Sequence, residues 1–243
     1  MFKRLSALFA AILYTAGFLA VQLAVYLAVD DAQALGLAAG LAALAAGIIL
    51  VCYRRNPGEA VWWYPVEGVS QAVKLTALGA GSCLFISVGI GMLPLPERWI
   101  EEYQDHIATG LLDGHPALTV LLVVLLAPVY EELFFRGLVQ RALMRGFPPA
   151  LAVVMQAVLF AAVHGQPLQV AYVLVGGTLL GFVYLWTRSL PSVMLYHIAF
   201  NAAGLMLGRL PEAHYGTVGV LFLFSGPAVY FLLRDLYQSR ADD

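Results

Sequence analysis

The sequence predicts an all-α fold, a polytopic transmembrane helical bundle of about eight spans with both termini in the cytoplasm. Three observations predict it. Of 243 residues, 61% are hydrophobic and 12% charged, with a mean hydropathy of +0.83, a balance too apolar for a soluble domain. The apolar residues are gathered in runs of bilayer-spanning length, and a helix of about 20 residues crosses a ~30 Å hydrocarbon core. The breaks between runs carry Gly, Pro, Arg and Asp, which end helices. The chain is read as one integral-membrane domain, 1–243, with no internal repeat and no low-complexity tract. The net charge of -2 says nothing for a nucleic-acid partner, and none is expected, since the bases are scattered between apolar runs and form no stripe.

Each element has its local reason. Lys3 and Arg4 precede an apolar run over 5–29, longer than the ~7–15 residues of a signal-peptide core, so a retained first span is expected. Asp30 and Asp31 end it. The second span, 32–53, is rich in Ala and Gly and carries Gly36 and Gly40 at small-xxx-small spacing, which suits close helix packing. Residues 56–71, with Trp62, Trp63 and Tyr64, read as an interfacial loop with rings at headgroup level. A third span over 73–95 leads to a polar, acidic loop over 96–116, in which His106, Asp113 and His115 are read as solvated. The fourth helix, 117–144, is ~42 Å long at ~1.5 Å per residue and must protrude from the core. Gly146, Pro148 and Pro149 turn the chain into a fifth helix over 150–164, which Gly165-Gln166-Pro167 breaks. Spans over 168–187, 192–207 and 215–233 follow, with Gly177/Gly181 and Gly204/Gly208 again four apart. Cys52 and Cys83 have no paired spacing and read as small buried side chains.

Orientation follows from the basic residues. With the N-terminus inside, only Arg98 and Arg209 of the 13 Lys and Arg fall outside. Both ends of the chain are then cytoplasmic.

Three clusters carry possible chemistry. Glu131 and Glu132 end an apolar run, a costly place for two carboxylates. Glu132 and Arg136 are i,i+4 and can pair, while Glu131 points ~100° away and is left to face something else. The second cluster is Phe160-Ala161-Ala162-Val163-His164, with the imidazole beside the Gly-Gln-Pro break. The third is His197 with Asn201, one turn apart on one helix face. Alone, His164 fits an interfacial histidine, and His197 with Asn201 fits hydrogen bonding between membrane helices. Counting ~1.5 Å per residue brings all three to a common depth within one turn, just inside the cytoplasmic boundary. The fifth helix must then end within the membrane. Irregular backbone at that depth is tolerated only against protein or a wet cavity, so a water-containing cavity open to the cytoplasm is expected. A carboxylate and an imidazole sharing a water can activate it, and a second His with an Asn can hydrogen-bond the oxyanion of a tetrahedral intermediate. Such a set hydrolyses an amide.

The ordered patterns Glu131-Glu132-x-x-x-Arg136, Phe160-x-x-x-His164 and His197-x-x-x-Asn201 resemble the CPBP family of intramembrane proteases, which includes the type II CAAX prenyl endopeptidases and the bacterial Abi proteins. The three motifs match without a departure and lie in a catalytic core over 117–207; the first three helices add no family signal. The resemblance implies an endopeptidase acting on a membrane-tethered protein or peptide in a bacterial or archaeal plasma membrane. It implies Glu131 as general base, His164 assisting with the water, and His197 with Asn201 as oxyanion hole. Glu132, Arg136 and Phe160 would support them. The family has been called both metalloprotease and glutamate-type protease. Glu131, His164 and His197 would be the ligands of a zinc ion, but no His-Glu-x-x-His run is present and a metal-free base is preferred.

Other chemistries fit less well. An aspartyl protease needs two Asp inside spans, and every Asp is expected in a loop or at a terminus. A serine type would have to use Ser82 or Ser87, which nothing sets against a histidine. A proton- or cation-coupled transporter is the rival from another class, with inverted repeats or paired broken helices as its expected mark. A catalytically silent membrane scaffold is the third reading.

Overall fold

The computed structural model describes residues 2–28, 38, 40–48, 62–107, 116–211 and 214–239. Among these residues the fold is all helical, with one isolated bridge between Trp63 and Ser189. The elements are α1 (Phe2–Tyr26), α2 (40–48), α3 (Gly68–Gly91), α4 (Glu97–Ile107), α5 (Pro116–Leu143), α6 (Pro149–Ala162), α7 (Pro167–Thr187), α8 (Leu190–Leu207) and α9 (Tyr215–Ser239). Six of the described helices, α1, α3, α5, α7, α8 and α9, are long and apolar enough to cross a membrane. The protein is an integral membrane protein.

The count of eight is not reached among the described residues, for two reasons. The expected second span, 32–53, falls largely outside them, as does Cys52; the described Gly40 packs on Leu126 of α5. The fifth helix has only 14 residues, about 21 Å at ~1.5 Å each, too short to cross alone. The loop expected over 96–116 is corrected in its first half. Glu97–Ile107 forms an amphipathic helix, with Trp99, Ile100 and Tyr103 set among Glu, Asp and Arg. Asp113, His115 and the His106 side chain lie outside the described residues. Asp105 and Asp235 sit on helices and not in loops, yet both are exposed and on different elements. No pair of aspartates forms from these two.

α5 is the helix the others surround. α1 covers its second half, where Phe18 meets Phe134 and Phe135 edge-on at 5.2 and 5.3 Å. α6 and α7 run antiparallel on another side, and α8 closes the third. α3 packs between α8 and α9, and Gly79 lets the two backbones approach, since a Cβ there would strike the Tyr196 carbonyl. The outer helices show apolar side chains outward, Phe9 and Phe224 at 69% each, the arrangement lipid permits.

One end of the bundle is basic and aromatic. Lys74 pairs with Asp235 at 2.6 Å, and Arg141 and Arg188 lie over the Trp62 ring at 4.1 and 5.8 Å. This is the end to which the count of basic residues assigns the cytoplasm. Its tight corner is Arg188, at φ 49°, followed by Ser189, whose hydroxyl donates to Tyr64 O and accepts from Ser192 N. The opposite end holds α4 and the Gly165 break.

Candidate active site

The site grows from the polar stripe of α5. Glu132, Arg136 and Gln140 recur every fourth residue along α5, and all three are fully buried. Buried charges persist in such surroundings only when paired. Arg136 Nη1 donates to Glu132 Oε1 at 2.8 Å, as the i,i+4 spacing anticipates, and Nη2 donates to Gly177 O at 3.0 Å. Gln140 Nε2 donates to Gly181 O at 3.0 Å. The two glycines expected to serve helix packing therefore also present carbonyls to the stripe; a Cβ on Gly177 would stand 3.0 Å from Phe160 Cδ1.

α8 adds the imidazole. His197 Nδ1 donates to the same Glu132 Oε1 at 2.7 Å, and its Nε2 faces Glu131 Oε2 at 3.7 Å. The Glu132 bond orients the ring and assigns its tautomer. With Nδ1–H committed, Nε2 accepts in the neutral ring and donates only in the imidazolium. Glu131 thus faces His197, and Glu132 does more than hold Arg136.

Asn201 is placed by a proline on another helix. α5 is not uniformly α-helical: Val120–Leu126 and Leu133–Gln140 are wound as π-helix, a winding often found at functional sites. Depths counted at one rise per residue shift accordingly. At the end of the first stretch Ala127 N–H bonds to Leu122 O. The Val123 carbonyl loses that α-helical donor, and its π-helical donor would be Pro128, which has no N–H. Asn201 Nδ2 supplies the bond instead, to Val123 O at 2.8 Å. One N–H of the carboxamide is spent on this, and one remains.

α6 brings the second imidazole through Phe160. The Phe160 ring lies beneath the Arg136 guanidinium at 4.6 Å, and stands edge-on to His164 at 5.0 Å and to His197 at 6.2 Å. The three motifs therefore meet on one aromatic ring. α6 ends at Ala162, and His164 Nδ1 bonds back to Phe160 O at 2.8 Å, which directs Nε2 away from the helix. The break is a built structure. Gly165 takes φ 72°, and the Gln166 carboxamide caps α7 by accepting from Gln169 N at 2.6 Å while donating to Trp99 O of α4 at 3.1 Å.

Glu131, Glu132, Arg136, His197 and Phe160 are brought together directly, His164 joins them across Phe160, and Asn201 sits one turn from His197. The sequence reading passed over Gln140, Gln156 and Pro128. The signal for the first was the continued four-residue stripe Glu132, Arg136, Gln140; Pro128 gives none until Asn201 is seen opposite it. Among the described residues no three His, Cys, Asp or Glu side chains gather as a metal's ligand set. Glu131, His164 and His197 do not fit a zinc ion in this arrangement, so no step below is routed through one.

Fold and site together define an integral-membrane helical bundle with a buried carboxylate–imidazole centre. Residues 113–203 match the family model described as Rce1-like, type II CAAX prenyl endopeptidase Rce1-like. The match covers the segment carrying the three motifs and agrees with the CPBP resemblance they suggested; it implies a protease of the CAAX type that works in lipid on a peptide or protein. No curated protein and no solved structure matches the chain.

Proposed function

We propose that the protein is an intramembrane endopeptidase that hydrolyses a peptide bond of a membrane-tethered protein or peptide with a water activated by Glu131. The observation that carries this reading is the 3.7 Å separation of Glu131 Oε2 and His197 Nε2. That gap is too long for a direct hydrogen bond, yet one water at ~2.8 Å from both atoms closes the triangle. Glu131 takes a proton from this water as its oxygen attacks the carbonyl carbon. The charge that develops on the carbonyl oxygen is met by the second Asn201 N–H and by His197 when it carries both protons. The C–N bond then breaks, and the proton held on Glu131 passes to the leaving amine. Glu132 and Arg136 keep the His197 ring fixed throughout. His164, with Nδ1–H held by Phe160 O, presents Nε2 as an acceptor for the water. The reading needs no cofactor. The protein works in a bacterial or archaeal plasma membrane, and its substrate is anchored in lipid by a prenyl group, a leader peptide or a helix. The cytoplasmic opening expected from the sequence is not supported, because Arg136, Gln140, Gln156 and Phe160 lie buried between the carboxylates and the basic end.

The test is cleavage of a fluorogenic farnesylated CAAX peptide by the full chain in nanodiscs. Glu131→Gln is expected to lower kcat by roughly 10²–10⁴, the usual share of a general base, with the melting temperature unchanged. Equal cleavage by the variant and the wild type removes the enzyme reading. Ion flux into proteoliposomes that depends on Glu131 would instead support the transporter.

A further inference from the structure

The polar stripe of α5 continues past the residues that the reaction uses. Gln140 is fully buried one turn beyond Arg136, and Gln156, on α6, is fully buried as well. Both face Gly181 of α7. A Cβ on that glycine would stand 3.1 Å from Gln140 Oε1 and 3.3 Å from Gln156 Oε1, so the two carboxamides converge on one point. Gln140 Nε2 is satisfied by Gly181 O, whereas Gln140 Oε1 and both polar atoms of Gln156 are buried with no bond to protein. Leaving such groups unmatched in an apolar interior is costly. A half-turn of the Gln156 amide changes nothing in its shape and puts N–H on the Gly181 side, where Gln140 Oε1 also lies.

The three helices repeat this arrangement at four-residue intervals. Gln140, Gln156 and Gly181 form one rung; Arg136, Phe160 and Gly177 form the next, held by the bond to Gly177 O and the guanidinium over the ring. One turn further on, α5 carries Glu131 and Glu132 and α6 carries His164. Sliding α6 against α5 would carry His164 along with it, and an apolar contact such as Phe135 on Phe160 does not by itself specify one register. A carboxamide pair resists it by geometry, because its hydrogen bond exists in one register only.

We propose that Gln140 and Gln156, both beside Gly181, are positioning residues that hold α5 and α6 in the register that sets His164 across the Phe160 ring from His197. The proposal rests on the protease reading. Neither side chain touches the reacting atoms, and each acts through the helix that carries it.

The experiment uses the full chain in nanodiscs, the same farnesylated peptide, and Gln140→Met, Gln156→Met and the double variant, which keep the volume and remove the polar pair. Each single variant is expected to lower kcat roughly tenfold, a part of the ~100-fold that ~1 Å of misplacement costs, with KM unchanged. The double variant is expected to lose no more than either single, in kcat and in melting temperature alike, since one interaction is removed once. Should Gln156→Met fail to fold, Gln156→Asn keeps an amide, withdraws it by one methylene and takes the same expected result. Wild-type kcat in the single variants, or losses that add in the double, overturns the proposal. Glu131→Ala as active as the wild type overturns the protease reading instead, and the melting-temperature cycle then decides by itself whether the pair is coupled.

Discussion

Replacing Pro128 by alanine should make the protein more stable and less active, and the structure says by how much. In the native chain Val123 O has neither an α-helical nor a π-helical donor, because Ala127 N–H goes to Leu122 O and Pro128 has no N–H. Asn201 Nδ2 fills the place at 2.8 Å. Pro128→Ala returns a backbone N–H to α5 and relieves the ring, a change worth up to ~3 kcal/mol in a helix interior. The new N–H competes for Val123 O, and the Asn201 carboxamide loses an anchor worth about 1 kcal/mol net. If that anchor aims the remaining N–H at the oxyanion, 1 kcal/mol corresponds to about a fivefold fall in kcat. Thermal unfolding in detergent and peptide cleavage in nanodiscs measure the two effects on one preparation. A higher melting temperature with unchanged kcat would refute the link between Val123 and Asn201. A lower melting temperature would refute the assignment of Pro128 as the origin of the unmatched carbonyl.

Three further outcomes are expected. Glu132→Leu and Arg136→Leu should each destabilise by about 3–5 kcal/mol, since either takes from a buried charge the opposite charge it is paired with, whereas the double variant should regain most of the melting temperature without regaining activity. Gly79→Ala should lower the melting temperature by forcing α3 away from the Tyr196 carbonyl, at about 1–3 kcal/mol of overpacking; a neutral result would show that the two helices have slack. Gln166→Ala removes the α7 cap and the tie to Trp99, and a loss of about 1 kcal/mol is expected from the cap, with any further fall in kcat reporting how far α4 steadies the His164 turn.

The sequence by itself determined the class of the protein, because bilayer-length apolar runs leave the backbone few options besides helices. It also determined the partnership of Glu132 with Arg136, which follows from helical spacing, and the break after His164, which Gly165 and Pro167 dictate locally. It did not reveal α4, whose apolar residues number too few to show as a span. It read the glycines at 177 and 181 as packing surface, since a carbonyl's acceptor role has no trace in composition. Above all, it could not say which glutamate faces which histidine. Glu131 and Glu132 are neighbours along the chain and differ only in the direction each takes from α5, and that direction acquires meaning when α8 arrives 65 residues later to place His197 Nδ1 on one carboxylate and Nε2 before the other. The same holds for Asn201, whose partner is decided by a missing N–H on Pro128. Local rules reach about one helical turn; contacts between helices are settled by which buried polar groups the assembled bundle leaves unmatched.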